Sequence, residues 1–448
     1  MASVYTKQQR IAKLAKEHPG MVFTTLAHHI DMDWLKEAFL QVRRDGAVGV
    51  DDQTWQDYAQ NWEENLPSLL NRFKSGGYFA PPVRRVHIPK GDGTKTRPIG
   101  IPTIEDKILQ RAIVMLLEPI YEHQFKDWSF GFRPGRKAHE ALAYLWKQAG
   151  ACRVSVILDV DIKAFFDTIP HSKLREVVGH RVRDGVVLRV IGKWLKAGVM
   201  EDGEISYSED GTPQGGVISP ILANLYLHEV LDEWFLSMVK PRLKGRAFMV
   251  RYADDFIMGF EKAEDARGVY TVLPKRLAKY GLSPHPEKTR LVDFARPVQG
   301  TKRPSQPTKE PTTGRDNTSG ESPGTFDFLG FTHYWGKSRW GRNVIKRKTA
   351  KDRLKRAIGK ISQWCCKNRH KPMKEQWQQL KKKLQGHYGY YGITCNSLSL
   401  SRFACAVVEL WHKWLNRRDR QKSLGWERFG AMLRSVYRLP APRIVHFI

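Results

Sequence analysis

Residues 247–260 read AFMVRYADDFIMGF, and this stretch restricts the fold more than any other. Two apolar runs flank a polar centre, which is the pattern of two strands folding back as a hairpin. At the turn stand two consecutive carboxylates, Asp254 and Asp255. Adjacent like charges repel, so a fold that keeps them there neutralises them with cations, and hard divalent ions such as Mg²⁺ take oxygen ligands. Asp-Asp is also a common turn pair. The hairpin alone therefore argues for strands and only hints at chemistry.

A second feature strengthens the hint. VSVILDV (154–160) is a continuous apolar run, expected as a buried strand. It ends in DIKAFFD, Asp161 to Asp167. A carboxylate at a strand end, opposite a carboxylate hairpin, can complete a two-metal site for in-line displacement at phosphorus, with ions about 3.5–4 Å apart. Asp159 is a rival ligand, because a two-residue offset puts it on the same strand face. A third feature is TPQGGVISPILANLYL (212–227). Gly215 and Gly216 allow close backbone approach to a ligand, and Gln214 can donate hydrogen bonds there. A helix is expected to begin near Pro220, with Ser219 as its N-cap.

Elsewhere the pattern is mixed. Residues 1 to about 60 read as helical, with Leu26, Ile30, Leu35, Phe39 and Val42 at helical spacing. Short apolar runs alternate with turns over about 78–110, and a helical period returns over Lys107–Tyr121. Residues 296–325 are rich in Pro, Thr, Ser and Gly and almost free of large apolar side chains, so a flexible loop is expected. From Tyr334 onward the chain carries 28 Lys and Arg against 5 Asp and Glu. Trp364, Trp377, Leu380, Leu384, Tyr388, Trp411, Trp414, Leu415 and Trp426 supply a core there, so this quarter is expected to fold as basic helices. The net charge of the chain is +29, which calls for a polyanionic partner, nucleic acid above all. No apolar run spans a membrane and no signal peptide or lipidation motif is visible, so a cytoplasmic, nucleic-acid-associated protein with no membrane partner is expected. The five cysteines lack zinc-ligand spacing and read as reduced thiols.

The ordered series KxxxxxxRPIGIP, FGFRPG, DIKAFFD, TPQGGVISP, YADD, HPEKT and FLGF resembles the blocks of group II intron reverse transcriptases, over about Gly46 to Val445. GHYGYYG (386–392) and WHKWLNRR (411–418) resemble that family's thumb and maturase region, which binds intron RNA. The resemblance implies an α+β right-hand polymerase. Its parts would be a helical N-terminal extension (1–60), fingers and palm (61–333, with the loop 296–325), and a basic helical thumb and maturase region (334–448). The end at Ile448 leads to the expectation of a bacterial member without the endonuclease domain. The implied reaction is RNA-directed DNA synthesis from a primer 3′ end with two Mg²⁺ ions. The implied partners are an RNA template, a DNA primer, deoxynucleoside triphosphates, the intron RNA whose splicing and retrohoming it would assist, and a DNA target. Two other readings are a mainly RNA-binding splicing cofactor and a domesticated enzyme of DNA repair or phage defence.

Residue roles follow from the same resemblance. Asp161, Asp254 and Asp255 match the catalytic, metal-binding carboxylates, with Asp254 the stronger ligand of its pair, and the family pattern favours Asp161 over Asp159. Phe166 matches an aromatic gate that excludes a 2′-hydroxyl. Because Phe165 and Phe166 cannot face the same way, a core role for Phe166 is the alternative. Gln214 matches a residue lining the nucleotide pocket. Lys90 and Arg97 match fingers residues that grip the triphosphate, and Lys288 a lysine near the leaving pyrophosphate. Arg133, in FRPG, is expected to be structural or to touch template. Lys381, Lys382, Lys383, Arg417 and Arg418 are RNA-contact candidates; for the three lysines a solvated helix face is the alternative.

Overall fold

The computed structural model describes residues 3–90, 95–201, 203–207, 211, 215–297, 323–418 and 423–448. Gln214, and all but the ends of the 296–325 loop, lie outside these described residues. The fold is mixed, with helices interspersed among eleven strands among the described residues. In chain order the strands are β1 (Val83–Lys90), β2 (Lys95–Ile101), β3 (Val156–Asp161), β4 (Val199–Glu201), β5 (Glu204–Ser206) and β6 (Ala247–Tyr252). They continue with β7 (Asp255–Phe260), β8 (Arg290–Asp293), β9 (Phe326–Phe328), β10 (Phe331–Lys337) and β11 (Asn343–Thr349). Three sheets result, ordered β2-β1-β4-β5, β6-β7-β3-β8 and β11-β10-β9. No helix among the described residues is long and apolar enough to cross a membrane.

The chain divides into two compact units. The first comprises residues 1–141, 158–258 and 264–290, and the second residues 142–157, 259–263 and 291–448. The first is built around the helix Ile104–Tyr121, whose side chains are buried on nearly every side. A helix apolar all round belongs at the centre of a core. Thr103 caps its start by accepting the Asp106 N–H. Against it pack the helices Val4–Glu17 and Met32–Gln41, through Gln8 donating to the Met115 carbonyl at 2.9 Å and the Trp34 indole donating to the Ala112 carbonyl at 3.0 Å. Leu26, Ile30, Leu35, Phe39 and Val42 are all buried, as their spacing predicts.

Buried Asp106 ties three segments together. It accepts from the Tyr78 hydroxyl, from the Trp194 indole at 2.8 Å and from the Thr103 hydroxyl at 3.2 Å. Burial pushes its carboxyl up to about 6, against the opposing pull of these donors.

In the second unit one expectation needs correction. Residues 331–349 form the hairpin β10–β11, and helix begins only at Lys351. NVIKRKT alternates buried and less buried side chains along β11, a period of two that the abundance of Lys and Arg obscured. Beyond it the helices Lys351–Asn368, Met373–Tyr391 and Ser397–Leu415 enclose a core of Leu380, Leu384, Tyr388, Trp411 and Leu415, with Trp364, Trp377 and Trp414 partly buried against it. Trp426, expected in that core, is instead 55% exposed, its ring stacked 3.8 Å from His412.

Candidate active site

β6 and β7 are the hairpin that the sequence predicts, and β7 lies beside β3. The turn between them passes through Ala253, whose φ of +58° is in the left-handed region that side chains with a Cβ seldom adopt. This conformation is held from below. Arg251 and Asp232 are both 0% exposed and form a two-pronged ion pair, Nη2 to Oδ2 at 2.6 Å and Nε to Oδ1 at 3.2 Å. Arg251 Nη1 also donates to Asn224 Oδ1 at 3.0 Å and to the Ala253 carbonyl at 3.2 Å. Asn224 in turn donates to the Gly131 carbonyl at 2.7 Å.

The segment before Arg133 runs alongside. Phe130 N–H donates to the Arg251 carbonyl at 2.9 Å, and Arg251 N–H donates to the Trp128 carbonyl at 2.8 Å. A Cβ on Gly131 would stand 2.3 Å from the Ala253 nitrogen, so only glycine lets the two backbones meet. Arg133 is buried and donates to Glu122 and to the Lys126 and Ser129 carbonyls, a structural role.

Asp161 ends β3 half-exposed. Its Oδ2 accepts from Lys288 Nζ at 2.6 Å, and its carbonyl accepts the His285 N–H at 2.7 Å. Asp254 senses several neighbours. Burial raises its carboxyl above the usual range, the Asp161 charge raises it further, and Arg97 and Arg251 draw it down. Asp161 and Arg97 thus lie within electrostatic reach of Asp254, and Lys288 is paired with Asp161. Asp159 is drawn aside by Arg290, Nε to Oδ2 at 3.5 Å. Among the described residues no three His, Cys, Asp or Glu side chains gather into one metal-binding group, so the aspartates stand as a converging pair with Asp255 on the adjacent strand residue. The donor set still suits a hard divalent cation, because two carboxylates repel across one site and cations of the chain already lean on both.

Phe166 is half-buried and meets the buried ring of Phe165 edge-on, centroids 5.1 Å apart, so the two rings do face differently. Arg97 is exposed on β2, opposite Ile88 of β1. Lys90 pairs with Lys95 through the backbone at the far end of that hairpin; its side chain lies outside the described residues, as does Gln214. Downstream of Gln214, Gly215 (φ +114°) sits where a Cβ would meet the Gly100 carbonyl at 2.6 Å, which ties this turn to β2. Ser219 is not the N-cap. It lies in the first turn of the helix Ser219–Leu227, and the preceding Ile218 N–H goes to Gln110 Oε1 at 3.3 Å.

In the second unit Lys381, Lys382 and Lys383 are exposed on the helix Met373–Tyr391. Lys381 lies 5.5 Å above the Trp377 ring and Lys383 5.3 Å above Trp364. Arg417 stacks 5.0 Å from Trp414, whereas Arg418, also exposed, donates to the Arg369 and Lys371 carbonyls. Sequence reasoning missed Asn224, Asp232 and Gly131. A signal existed in AFMVRY: an arginine inside a buried strand demands a buried partner.

Residues 88–333 match the family model described as reverse transcriptase (RNA-dependent DNA polymerase). The chain is 38% identical over 234 residues to the group II intron-encoded protein LtrA of Lactococcus lactis subsp. cremoris, covering 51% of this chain and 38% of that one. It is 34% identical over 285 residues to protein YkfC of Escherichia coli, 56% of this chain and 74% of that one. It is 30% identical over 284 residues to the mitochondrial nuclear intron maturase 2 of Arabidopsis thaliana, 52% and 37% of the two chains. It thus spans well under half of the first and third of these relatives.

Proposed function

Because the chain belongs to the reverse transcriptase family, we propose that it is an RNA-directed DNA polymerase with the architecture of a right hand. Residues 61–333 would be its fingers and palm, 1–60 a helical extension and 334–448 the thumb and maturase region. The observation that supports the reading is the charge of Asp161, at the end of β3, acting on half-buried Asp254 at a hairpin turn that a buried ion pair underlies. Asp161 and Asp254, with Asp255, would hold two Mg²⁺ ions, which when bound lower the pKa of an attacking hydroxyl and offset charge on the leaving group. The chain's own residues do the rest. Arg97 presents a planar fork suited to a triphosphate. Lys288, paired with Asp161, would neutralise or protonate a departing pyrophosphate. Phe166 offers a ring against which a 2′-hydroxyl would clash, leaving deoxynucleotides favoured.

Primer extension on an RNA template with Mg²⁺, run beside a template-binding assay, tests this. Asp161→Asn and Asp254→Asn should each abolish nearly all extension and leave binding intact. Near-normal extension by both would overturn the reading.

A second role, binding group II intron RNA to assist splicing and retrohoming, is favoured by the basic final quarter. There exposed Lys381, Lys383 and Arg417 lie on tryptophan rings, the combination of backbone charge and stacking that single-stranded RNA takes. Intron RNA domains flanking the gene would support this role. Their absence would favour a domesticated enzyme of repair or phage defence. A cytoplasmic, nucleic-acid-associated location is part of this reading.

A further inference from the structure

The first unit carries a concave site that shares no residue with the aspartate pair. It is a cavity of about 350 Å³ whose lining includes Phe79, Arg175, Arg189, Lys193, Lys196 and Tyr207. Its chemistry is of two kinds. Two aromatic rings stand at it strongly exposed, Phe79 at 74% and Tyr207 at 73%. Three cations, Arg175, Arg189 and Lys196, are also exposed, and none is paired with a carboxylate among the described residues. The floor is small and apolar, with Ala80, Gly192 and Ala197 leaving the space open.

The walls are fixed. Lys193 Nζ donates to the Gly76 carbonyl at 2.8 Å and to the Tyr78 carbonyl at 2.5 Å, which pins the loop that presents Phe79. Tyr78 and Trp194, on either side of this lysine bridge, are both anchored on buried Asp106. The Tyr207 ring lies against Gly198 (φ +76°), where any Cβ would come within 2.9 Å of Cε1. The glycine thus lets the backbone serve as a backing plate for one side of the ring. Exposed aromatics are costly in water unless something stacks on them, and preset exposed rings beside free cations match a base and its phosphate.

We propose that this cavity holds one unstacked nucleotide of a single-stranded nucleic acid, its base against Tyr207 and Phe79 and its phosphates on Arg175, Arg189 and Lys196. The proposal rests on the polymerase reading for the presence of such a strand and goes beyond it in placing a contact away from the aspartates.

The test uses the full chain, a fluorescein-labelled uridine 12-mer and its deoxythymidine counterpart, and anisotropy at fixed salt. Tyr207→Ala should weaken binding several-fold and Tyr207→Phe should restore it, because stacking needs the ring and not the hydroxyl. A 12-mer stripped of its bases should bind wild type and Tyr207→Ala equally. Arg175→Glu with Arg189→Glu should weaken all oligomers. A 4-thiouridine at one position should crosslink on irradiation to peptides containing Tyr207 or Phe79. Comparing the two sugars shows whether RNA or DNA is the occupant. Unchanged binding by Tyr207→Ala, or an equal loss with the baseless strand, would overturn the proposal. Primer extension by the same variants reports separately on the polymerase reading: an inactive wild type sinks that reading whatever the cavity binds.

Discussion

Asp254 shows how one side chain sets function against stability. Its carboxyl titrates above the usual range because burial and the Asp161 charge both resist ionisation. A raised folded-state pKa contributes stability at low pH that is lost as pH rises through that value. Above that value the folded state bears the cost of an ionised, half-buried carboxylate. Asp254→Asn should therefore raise the melting temperature at pH 7 while removing nearly all extension, and the gain should vanish at acid pH where wild type is protonated. Paired thermal melts and extension assays across pH check both halves. For Phe166→Ala the expectation is a fall, on the order of tenfold or more, in the ratio of deoxynucleotide to ribonucleotide kcat/KM. An unchanged ratio would return Phe166 to a packing role beside Phe165. The places of the aspartates, at a hairpin turn and at a strand end, were legible from the apolar runs that flank them, while a role for Phe166 came from the family resemblance alone. The pairing of Lys288 with Asp161 was not legible, since 127 residues separate the two and no periodicity links them.

At the scale of elements, the hairpin β6–β7 depends on a helix and a loop that the motif does not contain. Asp232→Ala would leave Arg251 charged and without a counter-ion in the core, a loss of about 3–5 kcal/mol. It should also lower extension by letting the Ala253 turn relax, which denaturant unfolding and primer extension would read independently. Gly131→Ala forces backbone against backbone and should cost about 1–3 kcal/mol. The strands of this hairpin were plain from their apolar runs. Those of β10–β11 were not, because alternation within a basic segment looks like the solvated side of a helix until burial reveals which side chains turn inward.

For the molecule as a whole, charge and composition gave broad expectations that side chains then sharpened. The surplus of 29 positive charges predicts RNA binding that falls steeply with salt, since each phosphate contact releases counterion. Lys381, Lys382 and Lys383 changed together to Glu should weaken that binding, seen as a lower affinity and a flatter salt slope. Around the sequence-predicted loop, Gly324 N–H donates to the Asp293 carbonyl at 2.7 Å, so the chain closes at its base before the loop begins. Replacing residues 300–322 with a short Gly-Ser linker should then leave soluble yield and melting temperature nearly unchanged. Mixed α and β architecture and the central hairpin could be read from sequence. An arginine inside the buried strand AFMVRY signals that a buried partner must exist, but which residue it is could not be read, because Asp232 lies 19 residues away on a different element. That pair has a consequence for judging decayed copies of such genes. On the proposed reading, a chain that keeps Tyr-Ala-Asp-Asp letter for letter should still lose extension once Asp232 or Asn224 has drifted, so the health of the motif is to be diagnosed at positions outside it.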